Sequence, residues 1–219
     1  MNAADILAKV DHTLLKQTAT WEDIVKLCDE AVKYHTATVM VPSCFVAPIV
    51  DKYGDKLKAA TVVGFPNGNC NTAAKIAETA EALADGAAEI DMVINIGMLK
   101  AGETDYVTEE IRALKQLCGE RVLKVIVETC FLTDEEKIAA CHCVTEAGAD
   151  FIKTSTGFGS KGATLEDIKL FKEHIGAGVQ MKAAGGIHTR EEMEAFINAG
   201  CTRLGASAAV NLLKGEIDG

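Results

Sequence analysis

Residues 122–155, VLKVIVETCFLTDEEKIAACHCVTEAGADFIKTS, contain a short apolar run, a longer amphipathic run and a second short apolar run. The first run, 122–128, predicts a buried strand. Thr133 before three acidic residues and Gly148 at the far end are typical of a helix start and a helix stop. The run 150–155 predicts a second strand. The stretch therefore indicates one strand–helix–strand unit.

The same alternation continues along the whole chain. Strands are predicted at 9–15, 37–41, 59–65, 88–95, 122–128, 150–155, 178–184 and 202–207. Helices are predicted at 20–34, 44–53, 71–86, 106–119, 133–148, 164–175, 189–200 and 206–215. Eight such units predict an α/β fold, a (β/α)8 TIM barrel with a short extra N-terminal helix, formed by a single domain over residues 1–219. A doubly wound open sheet is the alternative, but it usually has fewer strands, and no G-x-G-x-x-G follows the first strand.

The composition excludes several classes of partner. A formal net charge of −10 argues against nucleic-acid binding, which needs a basic face. No apolar run approaches the roughly 20 residues that span a bilayer, and residues 1–16 lack the layout of a signal peptide. Eight cysteines without a C-x-x-C pair indicate reduced thiols. We therefore expect a cytoplasmic protein with no membrane or nucleic-acid partner.

One cysteine-rich stretch raises the question of a metal. Cys141, His142 and Cys143 are consecutive. On a helix, however, neighbouring side chains point about 100° apart, and no second pair of ligands stands at a suitable spacing. The sequence therefore predicts no metal site.

Charged residues interrupt strands that should be apolar. They are Asp11 in the first strand, Asp91 in the fourth, Lys124 and Glu128 in the fifth, Lys153 in the sixth and Lys182 in the seventh. A period of two places Lys124 and Glu128 on one face of their strand. Buried charges must pair or shift their pKa values. One interpretation is a structural ion network that holds the strands in register.

Two lysines on consecutive strands favour a chemical role. If Lys153 and Lys182 both point into the barrel, their like charges disfavour protonation of at least one of them. The result is a neutral, nucleophilic amine near physiological pH. Such an amine forms Schiff bases with carbonyl substrates.

The loops after the last two strands predict a phosphate site. Gly185 and Gly186 follow the seventh strand, and Gly205 and Ser207 lead from the eighth strand into a helix. Small residues let backbone N–H groups approach an anion, and barrels commonly bind phosphate in these two loops. The substrate is therefore expected to be a phosphorylated carbonyl compound.

Five motifs resemble a known family. They are EIDMVINIG at 89–97, LKVIVET at 123–129, DFIKTSTGF at 150–158, VQMKAAGGIHT at 179–189 and RLGAS at 203–207. In this order they closely resemble the deoxyribose-phosphate aldolases, which are Schiff-base aldolases with a (β/α)8 barrel. The resemblance extends from residue 10 to the final helix. It implies reversible cleavage of 2-deoxy-D-ribose 5-phosphate to D-glyceraldehyde 3-phosphate and acetaldehyde, without a cofactor.

The resemblance also implies roles for individual residues. Lys153 matches the amine that forms the imine, Lys182 the neighbour that lowers its pKa, and Asp91 the carboxylate that shuttles protons through an ordered water. Asp11 matches a supporting carboxylate. The positions that match the substrate and phosphate pocket are Thr154, Gly157, Gly185, Gly186, Gly205 and Ser207. Some members carry a second serine where this chain has Ala208, so that hydroxyl cannot hold phosphate here.

Two other functions stay open at this point. One is a different phosphosugar barrel, such as an isomerase or another Schiff-base aldolase, although isomerases usually rely on a carboxylate base without two inward lysines. The other is a catalytically silent barrel that binds a phosphorylated ligand. In each case the expected partner is a small phosphosugar. The sequence leaves open whether the chain forms a homodimer or a higher homo-oligomer.

Overall fold

The computed structural model describes residues Met1–Gly219 and contains a closed barrel of eight parallel strands. The strands are β1 (Val10–Thr13), β2 (Thr38–Val41), β3 (Ala59–Val63), β4 (Glu89–Val93), β5 (Val122–Ile126), β6 (Phe151–Lys153), β7 (Gln180–Ala184) and β8 (Arg203–Ala206). Each strand pairs with the next along the chain, and β8 pairs with β1. The prediction of a (β/α)8 barrel is confirmed.

Ten α-helices surround or flank the barrel. They are α1 (Ala3–Leu7), α2 (Trp21–Tyr34), α3 (Val46–Tyr53), α4 (Thr72–Ala84), α5 (Ile96–Lys100), α6 (Thr104–Cys118), α7 (Asp134–Glu146), α8 (Leu165–His174), α9 (Arg190–Ala199) and α10 (Ala209–Asp218). Helix α1 is the predicted extra helix before β1, whereas the one-turn helix α5 was not predicted. No helix combines the length and the apolar character that crossing a bilayer requires.

The predicted helix starts carry the expected caps. The side chains of Thr133, Thr164 and Thr189 each accept a hydrogen bond from the backbone N–H three residues later. Such a bond satisfies one of the N–H groups that the first turn leaves without a partner. At the other end of α9, Gly200 has a left-handed backbone with φ 119°. These local signals explain why the helices begin and end close to the predicted positions.

The structure differs from the prediction at the end of β5. The strand stops at Ile126, and Glu128 lies beyond it with a left-handed backbone (φ 56°, ψ 66°). The prediction that Lys124 and Glu128 share one face of a strand is therefore wrong. A 3-10 turn over Thr129–Phe131 begins directly after Glu128 and ends the extended conformation. Strand β6 is likewise shorter than predicted and ends at Lys153.

The inside of the barrel is unusually polar. The large apolar core lies between the strands and the outer helices. Met40, Ala60 and Val62, on β2 and β3, form a separate small apolar cluster. Branched apolar side chains normally fill barrels of this kind. Here charged side chains from the other six strands, all of them buried except the partly buried Arg203, occupy that place, which directs attention to what they do.

Candidate active site

Lys153 is the last residue of β6 and stands where the strand opens into its loop. Its side chain is almost fully buried, and its Nζ lies 2.8 Å from Oδ2 of Asp91. Asp91 comes from β4 and has no exposed surface. The lysine therefore faces the barrel interior, as predicted, and has one carboxylate oxygen as its partner.

Lys182 lies directly beside Lys153 in the register of β6 and β7. Its Nζ is 2.7 Å from the same Oδ2 of Asp91 and 2.5 Å from Oδ2 of Asp11. The two ammonium groups thus share one oxygen atom. The predicted closeness of the two lysines is confirmed, and Asp11 contacts Lys182.

A second set of charges supports Asp91 from the other side. Lys124 Nζ lies 2.8 Å from Oδ1 of Asp91 and 2.5 Å from Oε2 of Glu89. Nη1 of Arg203 lies 2.8 Å from Oε2 of Glu89 and 2.6 Å from Oδ1 of Asp11, so it joins these two carboxylates. The sequence analysis missed Glu89 and Arg203. The signal was present, because Glu89 lies two residues before Asp91 and so shares its strand face, and Arg203 begins the eighth strand.

The charges of this network balance only if one lysine is neutral. The carboxylates are Asp11, Glu89 and Asp91, and the basic groups are Lys124, Lys153, Lys182 and Arg203. Three negative charges therefore face four basic groups. Because an unbalanced charge is expensive in a buried site, the arrangement favours loss of one proton.

Lys153 is the group whose proton is weakly held. Burial lowers the pKa of Lys153 to about 8; the nearby Asp91 opposes this shift, and the positive charge of Lys182 adds to it. The sequence argument named Lys182 as the cause, but burial contributes more. At pH about 7.5 an amine with a pKa of about 8 is roughly one quarter neutral, against about one part in a thousand for an ordinary lysine.

Asp91 stays ionised in this setting. Burial alone would raise the pKa of its carboxyl group, but Lys124, Lys153 and Lys182 together hold that pKa well below its usual range. Burial alone would also raise the pKa of Asp11. Lys182, Lys124 and Arg203 together lower that pKa instead. Thr38 also donates a hydrogen bond of 2.7 Å to Asp11. Both carboxylates are therefore fixed as anions.

A cavity of about 410 Å³ opens at the carboxyl ends of the strands and reaches Lys153. Of the residues predicted from the sequence, Lys153, Gly157, Gly185, Gly186, Gly205 and Ser207 line it. The sequence analysis did not assign Lys16, Thr156 and Phe158 to this wall. Asp91, Lys182 and Asp11 lie beneath it and reach it through Lys153.

Thr154 does not line the cavity. Its buried hydroxyl donates to the backbone carbonyl of Ala184 and accepts from the backbone N–H of the same residue, at 3.2 and 3.1 Å. Both hydrogen-bonding functions of the hydroxyl are thus occupied by β7. Thr154 therefore links β6 to β7 and has no exposed surface.

The far end of the cavity is shaped by close backbone approaches. Gly185 and Gly186 have left-handed backbones, with φ of 80° and 71°. A Cβ atom on Gly205 would lie 2.9 Å from Cβ of Ala184. No side chain caps the nearby N-terminus of α10. A helix N-terminus without a side-chain cap, two residues after the cavity residue Ser207, is the kind of site that binds anions.

The comparisons with known proteins agree with this geometry. Residues 6–215 match the model of the DeoC/LacD family of aldolases. The deoxyribose-phosphate aldolase of Clostridium botulinum (strain Alaska E43 / Type E3) is 64% identical over 216 residues, covering 99% of this chain and 98% of that protein. The one from Clostridioides difficile (strain 630) is 51% identical, covering 96% of each.

Solved structures show the same barrel. An aldolase called QR15 superposes with a TM-score of 0.93 at 34% identity, covering 98% of this chain and 96% of that chain. The deoxyribose phosphate aldolase of Aeropyrum pernix, described as a unique tetrameric structure, gives 0.91 at 28% identity, covering 99% and 92%. Since the family model spans nearly the whole barrel and close relatives cover it from end to end, the chain belongs to the DeoC/LacD family of aldolases.

Proposed function

We propose that this protein reversibly cleaves 2-deoxy-D-ribose 5-phosphate to D-glyceraldehyde 3-phosphate and acetaldehyde through an imine on Lys153. The observation that carries the proposal is Lys153 itself, a buried lysine at the wall of the cavity with a pKa of about 8. Relatives at 51% and 64% identity bear the name of this activity. A barrel that only bound a phosphosugar would have no use for a partly neutral amine.

The reaction begins with the open-chain aldehyde. Neutral Lys153 adds to C1, and loss of water gives a protonated imine. The C3 hydroxyl then loses its proton, the C2–C3 bond breaks, and its electron pair moves into the imine to form an enamine. Glyceraldehyde 3-phosphate leaves. Protonation of the enamine carbon and hydrolysis of the imine release acetaldehyde and restore the amine. The iminium is the electron sink, so the proposed reaction requires no metal.

Asp91 and Lys182 are proposed to move the protons together. Because its cationic neighbours hold the pKa of Asp91 low, this carboxylate accepts a proton only transiently, through an ordered water. Lys182 is bonded to the same Oδ2 atom and offers the proton a second position. Asp11, on the opposite side of Lys182, keeps that ammonium group in place.

The substrate phosphate is proposed to bind at the glycine-lined end of the cavity. Gly185, Gly186, Gly205 and Ser207 border this end, and the N-terminus of α10 follows Ser207. Apart from Lys153, Lys16 is the only lysine that lines the cavity. Its exposed side chain supplies the positive charge that the backbone groups lack.

Lys16→Met is expected to raise KM for 2-deoxy-D-ribose 5-phosphate by about tenfold, since a charge-assisted contact to phosphate is lost. Activity on unphosphorylated 2-deoxy-D-ribose should stay within about twofold, because that substrate has no anion to hold. The matched control is Lys26→Met, an exposed lysine that lines only the neighbouring cavity of about 450 Å³. Steady-state kinetics of both variants with both sugars measure these changes. Equal changes in KM for the phosphorylated sugar in the two variants would contradict this assignment.

Trapping the intermediate tests the proposed function directly. Incubation with acetaldehyde and sodium borohydride should reduce the imine and leave an ethyl group on Nζ of Lys153. Peptide mass spectrometry locates the modified lysine. Absence of the adduct at saturating aldehyde, in a protein that still binds the phosphosugar, would instead favour a binding protein. An adduct at Lys182 would show that Lys182 on β7, and not Lys153 on β6, is the nucleophile.

We further propose that residues 1–219 act as one domain, as a homo-oligomer in the cytoplasm. The relative from Aeropyrum pernix is described as tetrameric, which supports an oligomer. Light scattering coupled to size-exclusion chromatography measures the mass in solution and distinguishes an oligomer from a monomer of 23.2 kDa.

A further inference from the structure

Glu128 combines three unusual properties outside the charge network. It follows β5, it is 2% exposed, and its backbone is left-handed. The one other non-glycine residue with a positive φ, His35, ends helix α2, where this conformation is common. Glu128 does not end a helix. A strained backbone of this kind persists only where the surrounding contacts enforce it, and such residues cluster at functional sites.

The carboxylate of Glu128 has its closest partners in one neighbouring loop. It accepts hydrogen bonds from the backbone N–H of Thr156, at 3.2 and 3.3 Å to its two oxygens, and from the Thr156 hydroxyl. The hydroxyl in turn accepts from the backbone N–H of Phe158 at 3.0 Å. The Sγ atom of Cys130 lies 3.9 Å away. No ion pair joins Glu128 to a cation, so its oxygen-bound and nitrogen-bound hydrogen-bond donors all belong to Thr156.

That loop is the wall of the substrate cavity. Thr156, Gly157 and Phe158 line the cavity together with Lys153. The loop also packs tightly on Glu128, since a Cβ atom on Gly159 would meet Cδ of Glu128 at 3.1 Å and Sγ of Cys130 at 2.8 Å. Any displacement of the carboxylate is therefore transmitted to the residues beside the nucleophile.

Backbone hydrogen bonds on both sides of Glu128 support its contact with Thr156. Val127 donates its N–H to the carbonyl of Lys153 at 3.1 Å, and Thr129 donates to the carbonyl of Thr154 at 2.9 Å. These bonds continue the pairing of β5 with β6 beyond the end of β5. The left-handed turn at Glu128 lies between them and aims the side chain at Thr156.

We propose that Glu128 is a positioning residue that fixes the loop from Thr156 to Phe158 against the bound phosphosugar. The Thr156 hydroxyl donates its one hydrogen bond to Glu128. Toward the cavity it can therefore act only as an acceptor. Glu128 thereby fixes the position of the loop and determines that Thr156 presents an acceptor, and not a donor, to the cavity. This role rests on the proposed function, but it is separate from the control of the Lys153 amine.

The test compares Glu128→Gln and Glu128→Gly with the control Cys130→Ala. A glutamine keeps the size but replaces one acceptor by a donor, and a glycine relieves the left-handed backbone while removing the carboxylate. For 2-deoxy-D-ribose 5-phosphate, both Glu128 variants should raise KM by about tenfold, with the pH midpoint of kcat unchanged. Cys130→Ala should stay within about twofold of the parent.

A double-mutant cycle with Thr156→Val adds a readout that general destabilisation would not give. If Glu128 acts through Thr156, the effects of Glu128→Gln and Thr156→Val on KM should be strongly less than additive. KM of both Glu128 variants within about twofold of the parent would overturn the proposal, as would a displaced pH midpoint, which would place Glu128 in proton transfer. An inactive parent enzyme in the same assay would contradict the proposed function instead.

Discussion

Lys153→Met should abolish the borohydride-trapped adduct and lower kcat by about 10⁴-fold or more, as loss of a covalent nucleophile does in other enzymes. Without the amine no imine forms, and the C2–C3 bond has no electron sink. Methionine is chosen because it fills nearly the same volume and leaves no large cavity. The measurements are the cleavage rate with 2-deoxy-D-ribose 5-phosphate and the mass of the peptide that contains residue 153.

The same substitution should be well tolerated by the fold. With Lys153 removed, three carboxylates face three cationic groups, so the buried charges remain balanced. We therefore expect the thermal midpoint of Lys153→Met to be no lower than that of the parent. Residual turnover above about 1% of the parent, in a correctly folded variant, would show that another group can act as the nucleophile.

Lys182→Met should move the pH dependence of cleavage upward and lower kcat near neutral pH by about 10²-fold or more. The positive charge of Lys182 helps to lower the pKa of Lys153, so its removal raises that pKa from about 8. The neutral amine is the reactive form, and activity increases as the pH rises through its pKa. A raised pKa therefore shifts the ascending limb to higher pH. Part of the loss, due to the missing proton carrier, should persist at high pH.

Lys124→Met is the matched control for Lys182→Met. It removes one ammonium group from the same carboxylate, but from Oδ1 instead of the Oδ2 atom that Lys153 contacts. Among the charges that act on the pKa of Lys153, Lys124 contributes less than Lys182. Its removal should give a smaller upward shift of the ascending limb. A Lys182 variant with full activity and an unchanged pH profile would refute the role of its charge.

The sequence predicts the fold and the central residues because both depend on patterns within single strands. Alternating apolar and amphipathic runs are local, and so is the presence of Lys153 or Asp91 in a run that should be buried. The relative weight of burial and Lys182 on the pKa of Lys153 could not be predicted, because it depends on how completely the folded barrel encloses the amine.

The residues that the sequence misplaced or missed depend on contacts between strands. Thr154 belongs to a motif that resembles the substrate pocket, but the register of β6 and β7 aims its hydroxyl at the backbone of Ala184. Glu128 continues an apolar strand pattern, and only its contact with Thr156 explains the left-handed turn. Arg203 was missed, because only the closed barrel brings it to Asp11.

The fixed position of Asp91 beside Lys153 also bears on how little the site must rearrange during turnover. A protonated imine carries the same positive charge as a protonated lysine, at nearly the same position. Asp91 is already oriented toward that point by its bond to Nζ, 2.8 Å long. When the imine forms, Asp91 therefore faces the new charge without turning, and the network carries one positive charge more than its three carboxylates balance. The barrel thus offers the iminium a carboxylate that is oriented in advance, while the excess positive charge favours the bond cleavage that converts the iminium to a neutral enamine.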